Sequence, residues 1–499
     1  TPKVVNLSGT RLYDGTVNAA NSDLSVASGT VGTETLTISG TGTLNAGGAG
    51  SRTINNTGSL ALGNGSNGGI GSNYTLSGGT HSMTINPLPL TITGTKIYDG
   101  DNEVHSNTTE AQIQNIISGE NVLFSGFARS DSEDVGTNIN VGTINTWALA
   151  DQTHAASNYT FTGGNLKINI TQREILLTGT KNYDGNTNAA ASTITRMAAQ
   201  GTYSAPGSSS NTSNFTTQLA TGGVTYLLPV NVADGHSSIE TLTINGTGTA
   251  NSKDVTSASI LSGNGTLALA DGSNGGKASN YKITLSSGNH LYTVTQKPLG
   301  LSGSKVYDGT DVVLASELPT VTGLIGSETV VTGSQTTTAG STATKKNVAN
   351  NVTITSNASG ITLANGSNGG LAANYTLTGG THQVNITKAP VTIGLTRQYD
   401  GTTNASSNAT DSNTTESYSG LVGSETLTLT GQGSVASKNV SGSSQSVTLG
   451  TIALGNQSGA TTSSGGLASN YNLTSAALTI NQKVLNSNSS RIYNATTTA

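Results

Sequence analysis

The 499-residue sequence contains no cysteine, so disulfide bonds, thiolate metal sites and cysteine-based catalysis are excluded. Charged residues make up only 9% of the chain and aromatic residues 4%, whereas about 25% of the residues in an ordinary soluble domain are charged. The net charge is −5 and basic residues form no cluster, so the positive surface of a nucleic-acid-binding protein is absent and no nucleic-acid partner is expected. No run of about 18 apolar residues occurs, so we expect no insertion into a membrane.

Glycine is abundant, with 65 residues, and serine, threonine and asparagine dominate the remainder. Apolar residues recur in short runs that alternate with polar ones, which is typical of half-buried β-strands. No segment keeps the i, i+3, i+4 spacing of an amphipathic helix with caps. The sequence therefore predicts an all-β chain, and its length exceeds what one hydrophobic core normally serves.

The tripeptide Tyr-Asp-Gly organises the chain because it returns at nearly regular intervals. An eroded sixth copy begins at Tyr493. Aspartate can accept hydrogen bonds from turn amides and glycine tolerates positive φ, so the tripeptide predicts a tight turn at the end of a strand, which we call the corner. The five corners are Tyr13, Asp14 and Gly15; Tyr98, Asp99 and Gly100; Tyr183, Asp184 and Gly185; Tyr307, Asp308 and Gly309; and Tyr399, Asp400 and Gly401.

A second motif, Asn-Tyr, also recurs late in each repeat, and its tyrosine stands 24, 24, 26, 24 and 22 residues before the next corner tyrosine. This nearly constant distance indicates one repeating structural unit. Successive corner tyrosines are 85, 85, 124, 92 and 94 residues apart, so the third repeat carries an insertion. The tyrosines of the second motif are Tyr74, Tyr159, Tyr281, Tyr375 and Tyr471.

These spacings divide the chain into repeats at 1–86, 87–171, 172–296 with the insertion, 297–388 and 389–482, and residues 483–499 begin a sixth. We predict a tandem array of five antiparallel β-sandwich or β-grasp-like modules. With short proline-containing linkers, the array would form a rod on the order of 200 Å long. A parallel β-helix is the alternative fold, although its coils are much shorter than these repeats. The first residues match the linker and first strand of an interior repeat, so we expect a segment of a longer array.

A catalytic interpretation would use the corner aspartates as acids or bases, but no second titratable group recurs beside them in the sequence. The nearest other acid that recurs stands at the start of a predicted strand, in a segment that we call the strand lead. It is Glu34, Glu120, Glu240, Glu328 and Glu425 in the five repeats. We therefore favour a structural role, with no enzyme activity and no catalytic or cofactor-binding residue. Lys96, Lys181 and Lys305 precede three corners and leave a Lys-Asn crosslink as an alternative, but arginine replaces them elsewhere.

Metal binding is a further alternative at two kinds of position. The loops 64–69, 271–276 and 365–370 are short and polar, yet only Asp271 among them is charged, and calcium usually needs several carboxylates. His81, His290 and His382 share one position in three repeats, but each is the single histidine of its site. We predict no metal site.

Several further motifs accompany the corner. A Gly-x-x-Gly-x-Glu-Thr strand lead occurs at 323–329 and 420–426, a Lys-Asp-Val or Lys-Asn-Val step occurs at 253–255, 346–348 and 438–440, and Ala-x-Asn-Tyr-x-Leu follows. In this order the motifs resemble the YDG repeat of large bacterial surface proteins of the filamentous haemagglutinin-like adhesin type. The first repeat lacks the Lys-Asn-Val step and the second has Glu133, Asp134 and Val135 there.

The resemblance implies a secreted, cell-surface stalk of β domains, exported with an outer-membrane partner by two-partner secretion. Its receptor is unknown. Two other functions stay open, namely a subunit of a self-assembling extracellular filament or biofilm fibre, and a carbohydrate-binding array. Because some such adhesins carry N-linked sugars, the loop sequons at Asn64 and Asn365 are candidate glycosylation sites, and better ones than Asn73, Asn158 or Asn374, which adjoin tyrosines predicted to be buried.

Overall fold

The computed structural model describes residues 1–106, 109–199, 225–229, 239–256, 260–284, 290–334, 341–355, 358, 360–406, 414–457 and 465–486. The prediction of an all-β chain is confirmed, because the only helices among these residues are single 3₁₀ turns. No helix in the described part of the chain is both long and apolar enough to span a bilayer. The sixth corner copy at Tyr493 lies outside the described residues.

The chain divides into two compact units. The first comprises Thr1–Lys181, Thr187–Ser252 and Ala258–Thr293, and the second comprises Asn182–Asn186, Lys253–Ser257 and Val294–Ala499. The corner of the third repeat, at Tyr183, therefore belongs with the fourth and fifth repeats and not with the rest of its own. The contacts that cause this are described below.

The first two repeats consist of short strands joined by turns. The strands of the first are Lys3–Val4, Asn6–Leu12, Asn18–Ala20, Leu24–Ser28, Leu36–Ser39, Thr41–Leu44, Gly50–Asn56, Ala61–Asn64, Tyr74–Thr75 and Ser82–Asn86, with 3₁₀ turns at Asn21–Asp23 and Gly71–Asn73. Those of the second are Leu88–Thr93, Thr95–Ile97, Glu103–His105, Gln112–Ile113, Val122–Ser125, Phe127–Ser130, Gly136–Ile144, Ala148–Asp151 and Tyr159–Thr171, with a 3₁₀ turn at Ala156–Asn158.

The third repeat follows the same order and adds one strand from its insertion. Thr225–Pro229 pairs antiparallel with Ile239–Asn245, and most of the remaining insertion, including Tyr203 and Phe215, lies outside the described residues. The strands are Arg173–Asn182, Asn188–Ala190, Ile194–Ala199, Thr225–Pro229, Ile239–Asn245, Thr247–Ala250, Leu261–Gly263, Ala268–Asp271, Tyr281–Ile283 and Leu291–Thr295, with 3₁₀ turns at Ala191–Thr193 and Ala278–Asn280.

The fourth and fifth repeats keep this order. The fourth has strands Lys297–Pro298, Gly300–Val306, Val312–Val313, Thr320–Thr322, Val330–Ser334, Ser341–Thr342, Ala349–Thr353, Ile361–Asn365, Tyr375–Thr376 and His382–Thr387, with 3₁₀ turns at Ala315–Glu317 and Ala372–Asn374. The fifth has Ala389–Gln398, Asn404–Ser406, Thr415–Ser419, Leu427–Thr430, Gln432–Ser434, Gln445–Ser446, Ala453–Asn456 and Tyr471–Asn481, with a 3₁₀ turn at Ala468–Asn470.

Strand pairing within a repeat is mixed, so the expectation of antiparallel modules is met for most pairs and is wrong for the opening and closing strands. The closing strand of a repeat pairs in parallel with its opening strand, as Ser82–Asn86 does with Asn6–Leu12 and His382–Thr387 with Gly300–Val306. Most other pairs are antiparallel, which differs from the uniform parallel pairing of a β-helix. Alternation of apolar and polar residues fixes which face is buried but does not reveal strand direction, so the sequence could not show this.

Parallel pairing has a consequence for where each corner lies. The opening and closing strands of a repeat are parallel neighbours, so both end at the same edge of the repeat. The corner follows the opening strand and therefore lies at the edge where the closing strand ends. The backbone N–H of Tyr307 accordingly donates to Thr387 O at 2.9 Å, two residues before the fifth repeat begins at Ala389. Each corner is thus positioned at the start of the next repeat.

Candidate functional site

The corner is a turn held by its own aspartate. One carboxylate oxygen of each corner aspartate accepts a hydrogen bond from the backbone N–H two residues later, at 2.9 to 3.3 Å. All five corner glycines have positive φ, between 75° and 89°, a conformation that other residues adopt only with strain. The turn therefore depends on both the aspartate and the glycine.

A buried basic residue supports four of the corners, three positions before the aspartate. Lys305 Nζ lies 2.9 Å from the Asp308 carboxylate and also donates to Val312 O at 2.5 Å. Lys96, Arg11 and Arg397 stand in the same place. The expectation that no titratable group recurs beside the corner aspartates was therefore wrong. The basic group nevertheless also donates hydrogen bonds to carbonyl oxygens of the turn.

The charges at the corner shift the aspartate pKa values. Burial opposes ionisation of Asp308, but the Thr310 N–H and the Lys305 ammonium outweigh it and hold the pKa below its usual value. The same balance lowers the pKa values of Asp14 and Asp400. In the second repeat burial dominates and, with Asp101 nearby, raises the pKa of Asp99 to about 6 despite Lys96.

The side chain of each of the first four corner tyrosines packs against the next repeat. There its hydroxyl donates to the strand-lead glutamate, which also accepts the hydroxyl of the Asn-Tyr tyrosine. Tyr307 and Tyr471 both bind Glu425 in this way, at 2.5 and 2.7 Å. The other three sets are Tyr13, Glu120 and Tyr159; Tyr98, Glu240 and Tyr281; and Tyr183, Glu328 and Tyr375. We call each set, with the asparagine described below, a joint.

The two tyrosine rings of a joint also pack against each other. Their centroids lie 5.3 to 5.6 Å apart with interplanar angles of 78° to 82°, which is the edge-to-face geometry that aromatic pairs prefer. The corner glycine lies over an apolar side chain of the next repeat, Ile325 under Gly185 and Val422 under Gly309. The corner tyrosines are 0 to 5% exposed at the four joints, so the contact excludes water from the hydrogen bonds.

An asparagine completes the joint from the opposite direction. The Oδ1 atom of the Asn-Tyr asparagine accepts a hydrogen bond from a backbone N–H of the preceding repeat. Asn374 accepts from Val255 at 2.9 Å and donates its amide to the Asp254 carboxylate at 2.8 Å. Asn158, Asn280 and Asn470 accept from Ala49, Val135 and Val348 at 2.8 to 3.0 Å. The Lys-Asp-Val and Lys-Asn-Val steps thus supply the partner of this asparagine in the third and fourth repeats, whereas Val135 of the Glu-Asp-Val step and Ala49 supply it in the second and first.

Burial and a neighbouring carboxylate raise the pKa values of the joint tyrosines above the usual value of a tyrosine. Burial, followed by the hydrogen bond to Glu120, raises the pKa of Tyr159 to about 12. Burial and Glu425 do the same to the pKa of Tyr471. Burial also raises the pKa of Glu240, against the hydrogen bonds from Tyr98 and Tyr281. Glu240 is buried and the other three joint glutamates are partly buried, and each accepts two tyrosine hydroxyls, so the joint holds two repeats together.

The alternative metal sites have their side chains engaged elsewhere. Asn64, Asp271 and Asn365 each accept a backbone N–H of the 3₁₀ turn that follows, at 2.7 to 2.9 Å. His81 Nδ1 accepts from Leu7 N–H and its Nε2 lies 2.9 Å from Leu76 O. His290 and His382 are buried as well. Among the described residues no group of three or more histidines or acids is arranged to hold a metal.

The predicted glycosylation sites differ in exposure. Asn64 and Asn365 are exposed, and the hydrogen bonds found for their side chains use only the carbonyl oxygen. Asn158 and Asn374 are buried in joints, whereas Asn73 is exposed. Asn73 therefore differs in exposure from Asn158 and Asn374, although Tyr74 beside it is buried as predicted.

Sequence reasoning identified every residue type of the joint but missed that the corner tyrosine acts in the neighbouring repeat. The recurrence of one glutamate per repeat was the available signal, since a buried tyrosine hydroxyl needs an acceptor and, apart from the corner aspartates, no other acid recurs in all five repeats. In the sequence these glutamates stand out only as possible catalytic partners of the corner aspartates, and nothing local indicates that they accept a tyrosine hydroxyl of the preceding repeat.

Comparison with known proteins gives one family. No curated protein matches the chain. The YDG domain model matches residues 1–83, 84–166, 293–384 and 381–479, and the third repeat with its insertion lies between these matches. The four matches cover more than half of the sequence, and each ends within a few residues of a repeat boundary defined by the corner spacing. The chain belongs to the YDG domain family.

Proposed function

We propose that this chain is a non-catalytic stalk segment of a secreted bacterial surface adhesin, which projects a binding region away from the cell. The observation that carries the proposal is the joint, repeated four times with the same residues. A stalk needs neighbouring domains fixed to one another. The joint does this with the Tyr-Glu-Tyr contact and with the Asn-Tyr asparagine that accepts a backbone N–H of the preceding repeat, which we call the asparagine clamp. Neither contact is a charge pair that salt would screen.

The composition and the family support the same role. Few charged residues, no cysteine and many short polar turns suit a long extracellular β array, and the ordered YDG motifs resemble those of the adhesin class. We expect the repeats to form an elongated stalk, exported with an outer-membrane partner, and the receptor to be bound elsewhere in the parent protein. We propose no catalytic role for these acids, since the joint glutamates accept tyrosine hydroxyls and the corner aspartates accept turn amides.

Surface labelling tests the location. Antibodies raised against residues 1–486 should label intact bacteria, and protease added outside the cells should remove the label. Labelling that appears only after permeabilisation would contradict the proposal. A cytoplasmic protein of the same bacterium serves as the control for intact envelopes.

Electron microscopy of the isolated chain tests the stalk itself. Single beaded rods are expected. Ordered fibres would favour the filament, and compact globular particles would contradict an elongated stalk.

A further inference from the structure

The third repeat carries an extra strand on the sheet that follows its strand lead. Its strand Ile239–Asn245 pairs with Ala268–Asp271 on one side and with Thr225–Pro229 of the insertion on the other. The added strand is antiparallel, and its register places Thr225 opposite Thr243. We call the side that the added strand occupies the outer edge.

The outer edge is unpaired in the second and fourth repeats. Among the described residues, Val122–Ser125 pairs only with Ala148–Asp151, and Val330–Ser334 pairs only with Ile361–Asn365. The segments that lead into these two strands are described in full and form no further strand. An open sheet edge presents backbone N–H and C=O groups to which an extended chain can pair.

The side chains along this strand are buried where the extra strand is present. In the third repeat Leu242 and Ile244 are fully buried, whereas their counterparts in the second repeat, Val122 and Phe124, are only half-buried. The fourth repeat resembles the second, because Val330 and Thr332 are half-buried there. The third repeat therefore shows how an added strand completes the burial of this sheet.

The second and fourth repeats are interior, so their open edges do not depend on where the sequence begins or ends. Each has a complete joint with the repeat before it, in which Glu120 or Glu328 accepts two tyrosine hydroxyls. The same joint at Glu240 accompanies the added strand of the third repeat. A strand on the outer edge is thus compatible with an intact joint.

The two open edges lack the features that usually protect a sheet edge from pairing. Neither strand contains a charged residue or a proline, and both are common protective devices. The outward residue at the middle of each strand is apolar and exposed, namely Leu123 at 54% and Val331 at 56%. Threonine stands at this position in the other three repeats, as Thr37, Thr243 and Thr428.

We propose that the outer edges of Val122–Ser125 and Val330–Ser334 each bind an extended, uncharged segment of a partner protein as an additional antiparallel strand. The third repeat defines the chemistry of this segment, since its added strand has the sequence Thr-Tyr-Leu-Leu-Pro. By the same register Leu123 would stand opposite the first residue of the bound segment. The apolar third residue would lie diagonal to Leu123, within reach of its side chain.

A second copy of the chain is a poorer source of this strand. Its own Thr225–Pro229 is already paired within its third repeat and would have to leave that sheet first. A separate partner carries no such cost. The proposal goes beyond the stalk role, because it gives two interior repeats a binding role of their own.

A peptide with the sequence of residues 223–231, which contains no charge, is the probe. Hydrogen exchange of the full chain is measured with and without saturating peptide. Backbone N–H groups in 122–125 and 330–334 should become protected, because an added strand would accept their hydrogen bonds. Binding without protection there, or no binding at all, would overturn the proposal.

Backbone methylation of the peptide separates strand addition from general apolar binding. One version carries N-methyl groups at the positions of Thr225 and Leu227, and the other at those of Tyr226 and Leu228. Alternate N–H groups of a strand point to opposite sides, so one version should lose binding and the other should keep it. Equal affinities of the two versions would contradict strand addition.

Lysine substitutions locate the site. Leu123→Lys with Val331→Lys should weaken peptide binding at least about fivefold, because each removes an apolar cross-strand contact and a lysine disfavours edge pairing. Ile97→Lys with Val306→Lys is the matched control. These two residues are 58% and 53% exposed, precede the corner tyrosine in the same two repeats and lie on neither edge. Equal affinities of the two double variants would overturn the location.

Sedimentation of the chain alone tests the choice of partner. The parent chain should stay monomeric at the concentrations used for peptide binding. Self-association that Leu123→Lys with Val331→Lys abolishes would show that these edges bind another copy, and would overturn the assignment to a separate partner. None of these outcomes bears on surface location, which the antibody experiment tests separately.

Discussion

The hydroxyl of Tyr307 donates to the carboxylate of Glu425 at 2.5 Å, although the two residues are 118 positions apart and lie in different repeats. The parallel pairing of opening and closing strands places Tyr307 where the next repeat begins. The same relationship joins Tyr183 to Glu328 and Tyr13 to Glu120. A motif that looks like a local turn in sequence therefore serves to connect neighbouring repeats.

Alkaline pH should open the joints. The pKa values of Tyr159 and Tyr471 are raised to about 12 by burial and by their glutamates, above the value of about 10 in an unfolded chain. A raised folded-state pKa contributes stability that is fully present below about pH 10 and is lost as the pH rises through 12. Titration followed by phenolate absorbance should show the joint tyrosines ionising late and together with unfolding, and their ionisation near pH 10 would contradict their burial.

The asparagine clamp should contribute to the free energy of unfolding only in repeats where a joint exists. Asn374→Ala removes the acceptor of the buried Val255 N–H and should lower the free energy of unfolding by roughly 1–3 kcal/mol. Asn73→Ala is the matched control, since Asn73 holds the same sequence position on an exposed face, and should change it by less than about 0.5 kcal/mol. Thermal or urea unfolding compares the two, and equal costs would show that the asparagine acts within its own repeat.

The corner aspartates should stabilise the chain above their pKa and have no catalytic role. Because the pKa of Asp308 is lowered in the folded chain, its contribution is present above about pH 4 and is lost as the pH falls through the lowered value. Asp308→Asn should be slightly less stable than the parent at pH 7 and equally stable at pH 2. A hydrolytic activity that this substitution abolishes would contradict the structural role.

Exposure of the sequons gives a prediction for glycosylation. If the parent protein carries N-linked sugars, Asn64 and Asn365 should be occupied and the joint residues Asn158 and Asn374 should not, because a transferase cannot reach an enclosed side chain. Peptide mapping by mass spectrometry measures occupancy at all four sites. Substantial occupancy at Asn374 would contradict the joint.

The all-β class and the turn at each corner could be predicted because both rest on local signals in the sequence. Asp-Gly carries its own turn chemistry and period-two alternation marks strands, so neither depends on distant contacts. Strand direction and the placement of Tyr307 against Glu425 depend on how two strands some 80 residues apart pair, and side-chain alternation carries no information about that. The asparagine clamp was missed for the same reason.

A double-mutant cycle between Tyr307 and Glu425 tests the central claim most directly. The free energy of local opening is measured by hydrogen exchange of peptides that cover both residues in the parent, Tyr307→Phe, Glu425→Gln and the double variant. We predict a coupling energy of about 1–3 kcal/mol, because the hydroxyl of the buried Tyr307 donates directly to the partly buried carboxylate of Glu425. The cycle of Tyr399→Phe with Glu425→Gln is the control and should be additive within about 0.5 kcal/mol. Additivity in the Tyr307 cycle as well would contradict the joint.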